Sequence, residues 1–504
     1  MEETPRDAPE NTPQHDAART GQEKSPQDLD PPRQPTWWLW LLLSLFVGAF
    51  MVLAFLQQQE LHQSSSSPLT QPLGDLAEDP HFRLTSRYAL GVYRLSKMGI
   101  AVGGSAEDET SSEQLVDSML EEVESSAATL VSRLRTVPVL AEMRGRDAAL
   151  QRLEEVKGSI SAVIAGSGDD QAPSVSPQSL EEDAQVFATI YQQGSDSLSQ
   201  EQRQRLIDRH HWYARLALEQ GGDESVSAHS VIWRTTIVLL SAGLGLLAAA
   251  ATGFVLLAAA ILLFAREHLR THYRTLRSQS AALSRPLLEV VVFFLPLLLM
   301  LTVIGEGIGQ LLGGVPLLAI VLWGALLAPL WPLLRGVSRR QLRQALGWNR
   351  GRGAGWEVLS GVGGYLAGIP VMAAGVAATF FISQVFETQP SHPAALEALS
   401  GGFWQILQIY LLACVWAPVV EESVFRGALF SHLRMRYSGA TSALLSGIIF
   451  AAIHPQGLAA LPVLTAIGFV LAMLREWRDS LIAPMTAHAL NNFLAITLLL
   501  LLFR

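Results

Sequence analysis

Apolar and polar positions divide this chain into two regimes. From residue 236 onward, apolar runs follow one another at 236–265, 287–304, 311–334, 357–385, 402–420, 439–454, 458–474 and 480–503. An earlier run, WWLWLLLSLFVGAFMVLAFL at 37–56, stands by itself. About 20 apolar residues in a helix cross a bilayer core of about 30 Å, so the pattern predicts nine membrane spans. Between 57 and 230 the pattern changes. Past a QQQ and SSSS linker, apolar residues recur at three- and four-residue spacing in SEQLVDSMLEEVESSAATLVSRLRTV, and again at 147–165, 180–193 and 201–219. That period marks helices with one buried face and one solvated face. Breaks rich in Gly, Ser and Asp, such as GSGDDQAPSVSP, separate them.

The predicted fold is all-α, a polytopic membrane helical bundle with an extra-membrane N-terminal helical domain. Residues 1–35, rich in Pro, Gln, Asp and Glu without apolar periodicity, read as a disordered tail. Residues 36–56 form a transmembrane anchor, 57–230 a soluble helical domain, 231–285 a span with a basic loop, and 286–504 the main membrane domain. A signal peptide is the competing reading of 37–56, but the run is too long, starts some 35 residues in, and has no small-x-small cleavage site.

Composition agrees with a membrane protein. Of 504 residues, 49% are hydrophobic and 16% charged, and the mean hydropathy is +0.28. Soluble domains carry about a quarter charged residues. A wholly soluble enzyme, a disordered chain and a collagen-like fibre are excluded. The net charge of -9 and pI near 5.8 argue against a nucleic-acid partner, which asks for a basic face. The one cysteine, Cys414, rules out a disulfide framework and multi-cysteine zinc or iron–sulfur sites.

Arginines in the short loops set the expected orientation. The 266–285 loop carries Arg266, Arg270, Arg274, Arg277 and Arg285, and the 335–353 loop carries Arg335, Arg339, Arg340, Arg343, Arg350 and Arg352. Arg434 with Arg436, and Arg475 with Arg478, mark two more, whereas the alternate loops near 305–310, 387–400 and 455–457 have neither Lys nor Arg. Nine spans with a cytoplasmic N-terminus fit, provided that 236–265 is one span and not a hairpin. The 57–230 domain then lies outside, and the plasma (inner) membrane is the expected location.

Ionisable side chains inside lipid are costly and mark function. Glu421, Glu422 and Arg426 lie in APVVEESVFRGALF, His454 ends GIIFAAIHP, and His488 and Asn492 lie in APMTAHALNNFLAITLL. Glu289 and Glu306 sit near span ends, where interface exposure explains them. Glu422 and Arg426 are four apart, on one helix face and able to pair. Glu421 projects about 100° away from Glu422 and can face a cavity. Phe450 with His454, and His488 with Asn492, are again four apart. Three helices can thus direct a carboxylate, two imidazoles and a carboxamide into one pocket, a set holding a general base and hydrogen-bond donors. One tension remains. The predicted spans put Glu421 near the cytoplasmic end of its helix but His454 roughly 25 Å up the next. The two meet only if the spans are broken and tilted, or if their boundaries are several residues off.

E-E-S-V-F-R at 421–426, F-A-A-I-H at 450–454 and H-A-L-N-N at 488–492 match, in order, the motifs EExxxR, FxxxH and HxxxN. In these residues the sequence resembles the CPBP intramembrane peptidases, the group of CAAX-prenyl endopeptidases and Abi-like, bacteriocin-processing proteins. The resemblance covers roughly 285–504 and implies a membrane-embedded glutamate protease. Glu421 and His454 would orient and deprotonate a water that attacks the scissile carbonyl. His488 and Asn492 would hydrogen-bond the developing oxyanion, an interaction worth about 2.7–4 kcal/mol per donor. Glu422 and Arg426 would steady the first glutamate or bind substrate, with Phe450 beside them. Relatives often carry one more span after the HxxxN helix.

Metal use stays open on the residues alone, because His454, His488 and Glu421 form a His₂Glu set of the kind that holds zinc. No HExxH string is present, and the resemblance implies a metal-free site without cofactor. No GxSG pattern supports a serine site, and Gly166-Ser167-Gly168-Asp169 matches the GxGD string of aspartyl intramembrane proteases by chance, in a polar loop. Two functions compete. One is an intramembrane endopeptidase cutting a membrane-associated or lipidated protein or peptide. The other is a non-proteolytic scaffold or transporter that uses the same pocket for binding while the 57–230 domain recruits a protein partner.

Overall fold

The computed structural model describes residues 35–65, 80–98, 109–166, 176–223, 229–267, 280–311, 318–386, 402–454 and 456–503. The expected tail over 1–34, the GxGD string beyond Gly166 and the 387–400 loop lie outside the described residues, as does the side chain of Glu306. Among the described residues there are helices and no strand.

The N-terminal helical domain contains α2 (Pro80–Lys97), α3 (Glu109–Ser126), α4 (Leu130–Arg144), α5 (Arg146–Gly166), α6 (Pro177–Gln193) and α7 (Gln200–Gln220). The amphipathic stretch at 112–137 is two helices. Thr129 breaks it by capping α4 reciprocally with Ser132, which satisfies two otherwise orphaned donors. Helix α2 is an addition to the sequence reading. Its Phe82, Ala89, Leu90 and Val92 are buried with Val123 of α3, Val139 of α4 and Tyr213 of α7. A second core joins Leu134, Leu153 and Phe187 of α4, α5 and α6.

Between α6 and α7 lies a fully buried imidazole. His210 Nε2 is 3.0 Å from Asp183 Oδ2, the same oxygen that Arg209 Nε meets at 2.7 Å. Arg205 reaches the other Asp183 oxygen at 4.0 Å, and from α4 Arg135 bonds the Arg209 carbonyl at 2.8 Å. Burial pushes the His210 pKa below its usual 6.5, against the upward pull of the Asp183 hydrogen bond and charge. Below pH 6.5 the unfolded chain therefore binds a proton that the folded domain refuses, so stability falls as pH falls through that window. Hydrogen exchange of the α6 and α7 amides in the full chain, corrected for intrinsic rate, should lose protection below about pH 6.5. A His210→Gln variant should show a flat profile, and an equal pH dependence in that variant would assign the effect elsewhere.

Among the described residues six helices are long and apolar enough to cross a membrane: Thr236–Ala265, Ala282–Gly305, Ala354–Val385, Phe403–Arg434, Leu458–Arg478 and Ile482–Leu501. Shorter apolar helices cover Trp37–Ala49, Leu322–Leu334 and Gly439–Ala452. The chain is an integral membrane protein built as an all-α bundle. The 236–265 run forms one continuous helix, α8 (His229–Ala265), and not a hairpin. Helix α1 (Trp37–Ser65) is more than a tether. Its Leu39 and Leu43 are buried in one core with Leu287, Val291 and Phe294 of α9 (Ser280–Leu311), and the Arg285 guanidinium lies 5.4 Å over the Trp38 ring.

The remaining elements are α10 (Leu322–Leu334), α11 (Arg339–Leu346), α12 (Ala354–Phe386), α13 (Phe403–Arg434), α14 (Gly439–Ala452), α15 (Leu461–Arg478) and α16 (Ile482–Phe503). Two expectations need correction here. Glu289 is not interface-exposed: it is buried, and Arg285, Arg335 and the Trp331 indole all reach its carboxylate at 2.8–3.0 Å. The boundary near 420 is also wrong, because α13 runs on to Arg434. At 1.5 Å per residue, Glu421 then sits roughly 20 Å above the Arg434 end, and His454 roughly 22 Å above Gly439 on the neighbouring helix. The depth mismatch disappears.

Close helix contact brings these depths together laterally. Helices α14 and α15 touch where Gly447 faces Gly468: a Cβ on Gly468 would lie 2.7 Å from the Gly447 Cα. Side chains of any size would hold the backbones apart. Along α12, Gly364 and Gly368 likewise admit Leu474 and Val470 of α15.

Candidate active site

Helix α13 carries two wide π-turns, at Leu412–Trp416 and Ser423–Leu429, with six α-helical residues from Ala417 to Glu422 between them. Such insertions sit mostly at functional positions, because they re-aim side chains within an otherwise regular helix. Pro418 supplies a local cause for the upstream turn. Its ring clashes with a carbonyl four residues back and it has no N–H to give. In the π-register the Ala417 N–H bonds the Leu412 carbonyl, so the donor due to the Ala413 carbonyl would be residue 418, the proline. Asn492 fills the gap from α16, its Nδ2 donating to the Ala413 oxygen at 2.7 Å. Asn491 Nδ2 donates in turn to Asn492 Oδ1 at 3.2 Å, and Tyr410 meets Thr497 at 2.8 Å, a second tie between α13 and α16.

The two adjacent glutamates face different surroundings. Glu422 is fully buried and is held twice through Oε1, by Arg426 Nη1 at 2.8 Å and His488 Nδ1 at 2.9 Å. Arg426, equally buried, donates also to the Gly468 carbonyl at 3.2 Å and stands 4.4 Å over the Phe450 ring. Burying a charge pair is costly, and here a backbone carbonyl, an imidazole and an aromatic face offset part of that cost, while Glu422 Oε2 and Arg426 Nε have no hydrogen-bond partner among the described residues. Glu421 points elsewhere. Its side chain keeps 17% exposure, and its Oε2 has no hydrogen-bond partner among the described residues. Opposite stands His454, 20% exposed, with Nε2 at 4.0 Å from that oxygen.

Two imidazoles are therefore fixed by one nitrogen each. His454 sits where α14 ends, before Pro455, a position that disfavours further helix. Its Nδ1 donates to the Phe450 carbonyl at 2.6 Å, a partner that can only accept, so in the neutral ring Nε2 carries the lone pair. His488 Nδ1 likewise donates to the Glu422 carboxylate, leaving Nε2 for other chemistry. The Phe450 ring packs between them, its centroid 4.3 Å from His454 and 6.2 Å from His488, and edge-on to Phe425 at 5.3 Å.

Of the seven motif residues, Arg426, His454 and His488 stand around Phe450, Glu422 is bonded to Arg426 and His488, Glu421 faces His454, and Asn492 is tied to the Ala413 carbonyl. Glu422, Arg426 and Phe450 are almost wholly inaccessible, so none offers surface to a substrate. One role shifts. Asn492 spends one N–H on the Ala413 carbonyl and keeps a single one for other use. Among the described residues no group of three His, Cys, Asp or Glu side chains is arranged to hold a metal ion, and His488 faces Glu422 instead of completing a set with Glu421 and His454. Residues missed in the sequence are Pro418, which shapes the first π-turn, and Trp348 and Ser423, which touch the second.

Residues 403–494 match the family model described as Type II CAAX prenyl endopeptidase Rce1-like. The matched segment runs from the start of α13 into α16 and includes Glu421, Glu422, Arg426, Phe450, His454, His488 and Asn492. No curated protein matches the chain, and no solved structure does. The segment that is similar to this family of CAAX proteases, which are hydrolases, lies inside the membrane bundle.

Proposed function

We propose that this protein is an intramembrane endopeptidase that hydrolyses a peptide bond of a membrane-associated or lipidated protein through a glutamate-activated water. The observation that carries the reading is the contrast between the two glutamates. Glu422 is tied through Oε1 to both Arg426 and His488, whereas Glu421 Oε2, without a hydrogen-bond partner among the described residues, faces His454 Nε2 across 4.0 Å. That separation exceeds a direct hydrogen bond and suits a water bonded to both groups.

In the proposed reaction, Glu421 takes a proton from this water as its oxygen attacks the scissile carbonyl. His454, fixed by the Phe450 carbonyl, orients the water through Nε2. The tetrahedral oxyanion accepts hydrogen bonds from the second N–H of Asn492 and, when both ring nitrogens of His488 carry protons, from its Nε2. Collapse breaks the C–N bond, and the proton held by Glu421 passes to the leaving amine. No metal or cofactor takes part in this scheme. The arginine-rich loops support a cytoplasmic N-terminus, and in this reading the helical domain of α2–α7 lies on the far side of the membrane, taken to be the plasma (inner) membrane, where it would bind a protein partner.

Comparative terminal proteomics of membranes from cells carrying the wild-type chain or Glu421→Gln tests this. Peptide termini present only with the wild type are the expected result. Identical termini in both would sink the peptidase reading and favour a binding scaffold that retains the same pocket.

A further inference from the structure

We infer that Trp348 and Ser423 position the proposed general base from behind, by holding the Val419 carbonyl of the helical turn that carries Glu421. This rests on the peptidase reading above and adds two residues that lie outside its three motifs. At Ser423 the helix changes register. Its N–H goes to the Val420 carbonyl, and the π-turn Ser423–Leu429 begins. The fully buried Ser423 hydroxyl donates back to the Val419 carbonyl at 2.7 Å and accepts the Trp348 indole N–H at 2.9 Å. An indole nitrogen only donates, so its contact fixes the hydroxyl proton on Val419. The chain of bonds thus ends on the turn that carries Glu421 and Glu422.

Trp348 is itself rigidly based. Helix α11 ends at Gly347 in the left-handed region, φ 79°, and the Trp348 N–H bonds back to the Arg343 carbonyl at 2.9 Å. This cap turns the indole from a loop of arginines into the bundle. The same loop is sewn to the α15–α16 connection: the Leu481 N–H bonds the Gly347 carbonyl at 3.0 Å, and Asn349 donates to the Asp479 carbonyl at 2.8 Å. Leu346 packs on Gly427 within the π-turn, where a Cβ would approach its carbonyl to 3.2 Å. Neither Trp348 nor Ser423 touches Glu421, and both act through backbone. They are positioning residues.

The test uses the purified full-length chain and a quenched, prenylated CAAX peptide, with Trp348→Phe, Ser423→Ala and the double variant. Each single variant should lower kcat about tenfold with KM within twofold of the wild type and an unchanged thermal midpoint. The double variant should lose no more than the worse single one, because both cut the same chain of bonds. Multiplying losses, a change confined to KM, an unaltered kcat, or a kcat loss matched by a fall in midpoint would each overturn the assignment. Turnover of the unaltered chain in the same assay separates this outcome from failure of the peptidase reading itself.

Discussion

Glu421→Gln should reduce peptide cleavage by about 10²–10⁴-fold, the usual contribution of a positioned general base, while leaving the protein as stable as before. Glutamine keeps the shape and removes the charge. The stability half follows from the same geometry, since Glu421 Oε2 has no hydrogen-bond partner among the described residues to lose. Both halves are needed. A purified variant with an unchanged unfolding midpoint and no turnover fits a base, whereas a variant that loses activity only because it unfolds does not. Glu422→Gln should behave in the opposite way, because that carboxylate holds Arg426 and His488. Its main effect should appear in the midpoint.

Arg426→Met should produce the largest loss of stability of any single substitution at the site. It leaves Glu422 buried with only His488 for a partner, frees the Gly468 carbonyl and strips the cation from Phe450. Removing one member of a buried pair costs about 3–5 kcal/mol, mostly from the charge left behind. A clear fall in the unfolding midpoint of the solubilised chain is expected. Combining Arg426→Met with Glu422→Gln should cost less than the sum of the two, since the second change removes the stranded charge. An unaltered midpoint with a raised KM would instead make Arg426 a substrate contact, contrary to its complete burial.

The membrane architecture was legible because lipid penalises polar backbone and side chains so heavily that apolar runs must mark helices. The three motifs were legible for the same reason, as costly residues at helical spacing. Hydropathy failed at Glu421. There the run of apolar residues stops, yet the helix continues, because Arg426, His488 and the Gly468 carbonyl neutralise what lipid could not tolerate. Glu289 misled in a similar way: only the fold brings Arg335 and Trp331 to it from distant positions. Helix α2 hid because its apolar residues form one face of a segment that is polar on average. Trp348 left no periodic signal at all, and its partner lies 75 residues away. Pro418 was visible, but a proline in a span predicts a kink, not which side chain will replace its missing N–H.

A single turnover in water enriched in oxygen-18 tests the proposed chemistry most directly. With enzyme in excess over substrate, one labelled oxygen should appear in the new carboxylate of the cleaved peptide, and none in Glu421. Label recovered in the Glu421 side chain would mean that the carboxylate itself attacked and formed an acyl intermediate, which would contradict the water-activating pair.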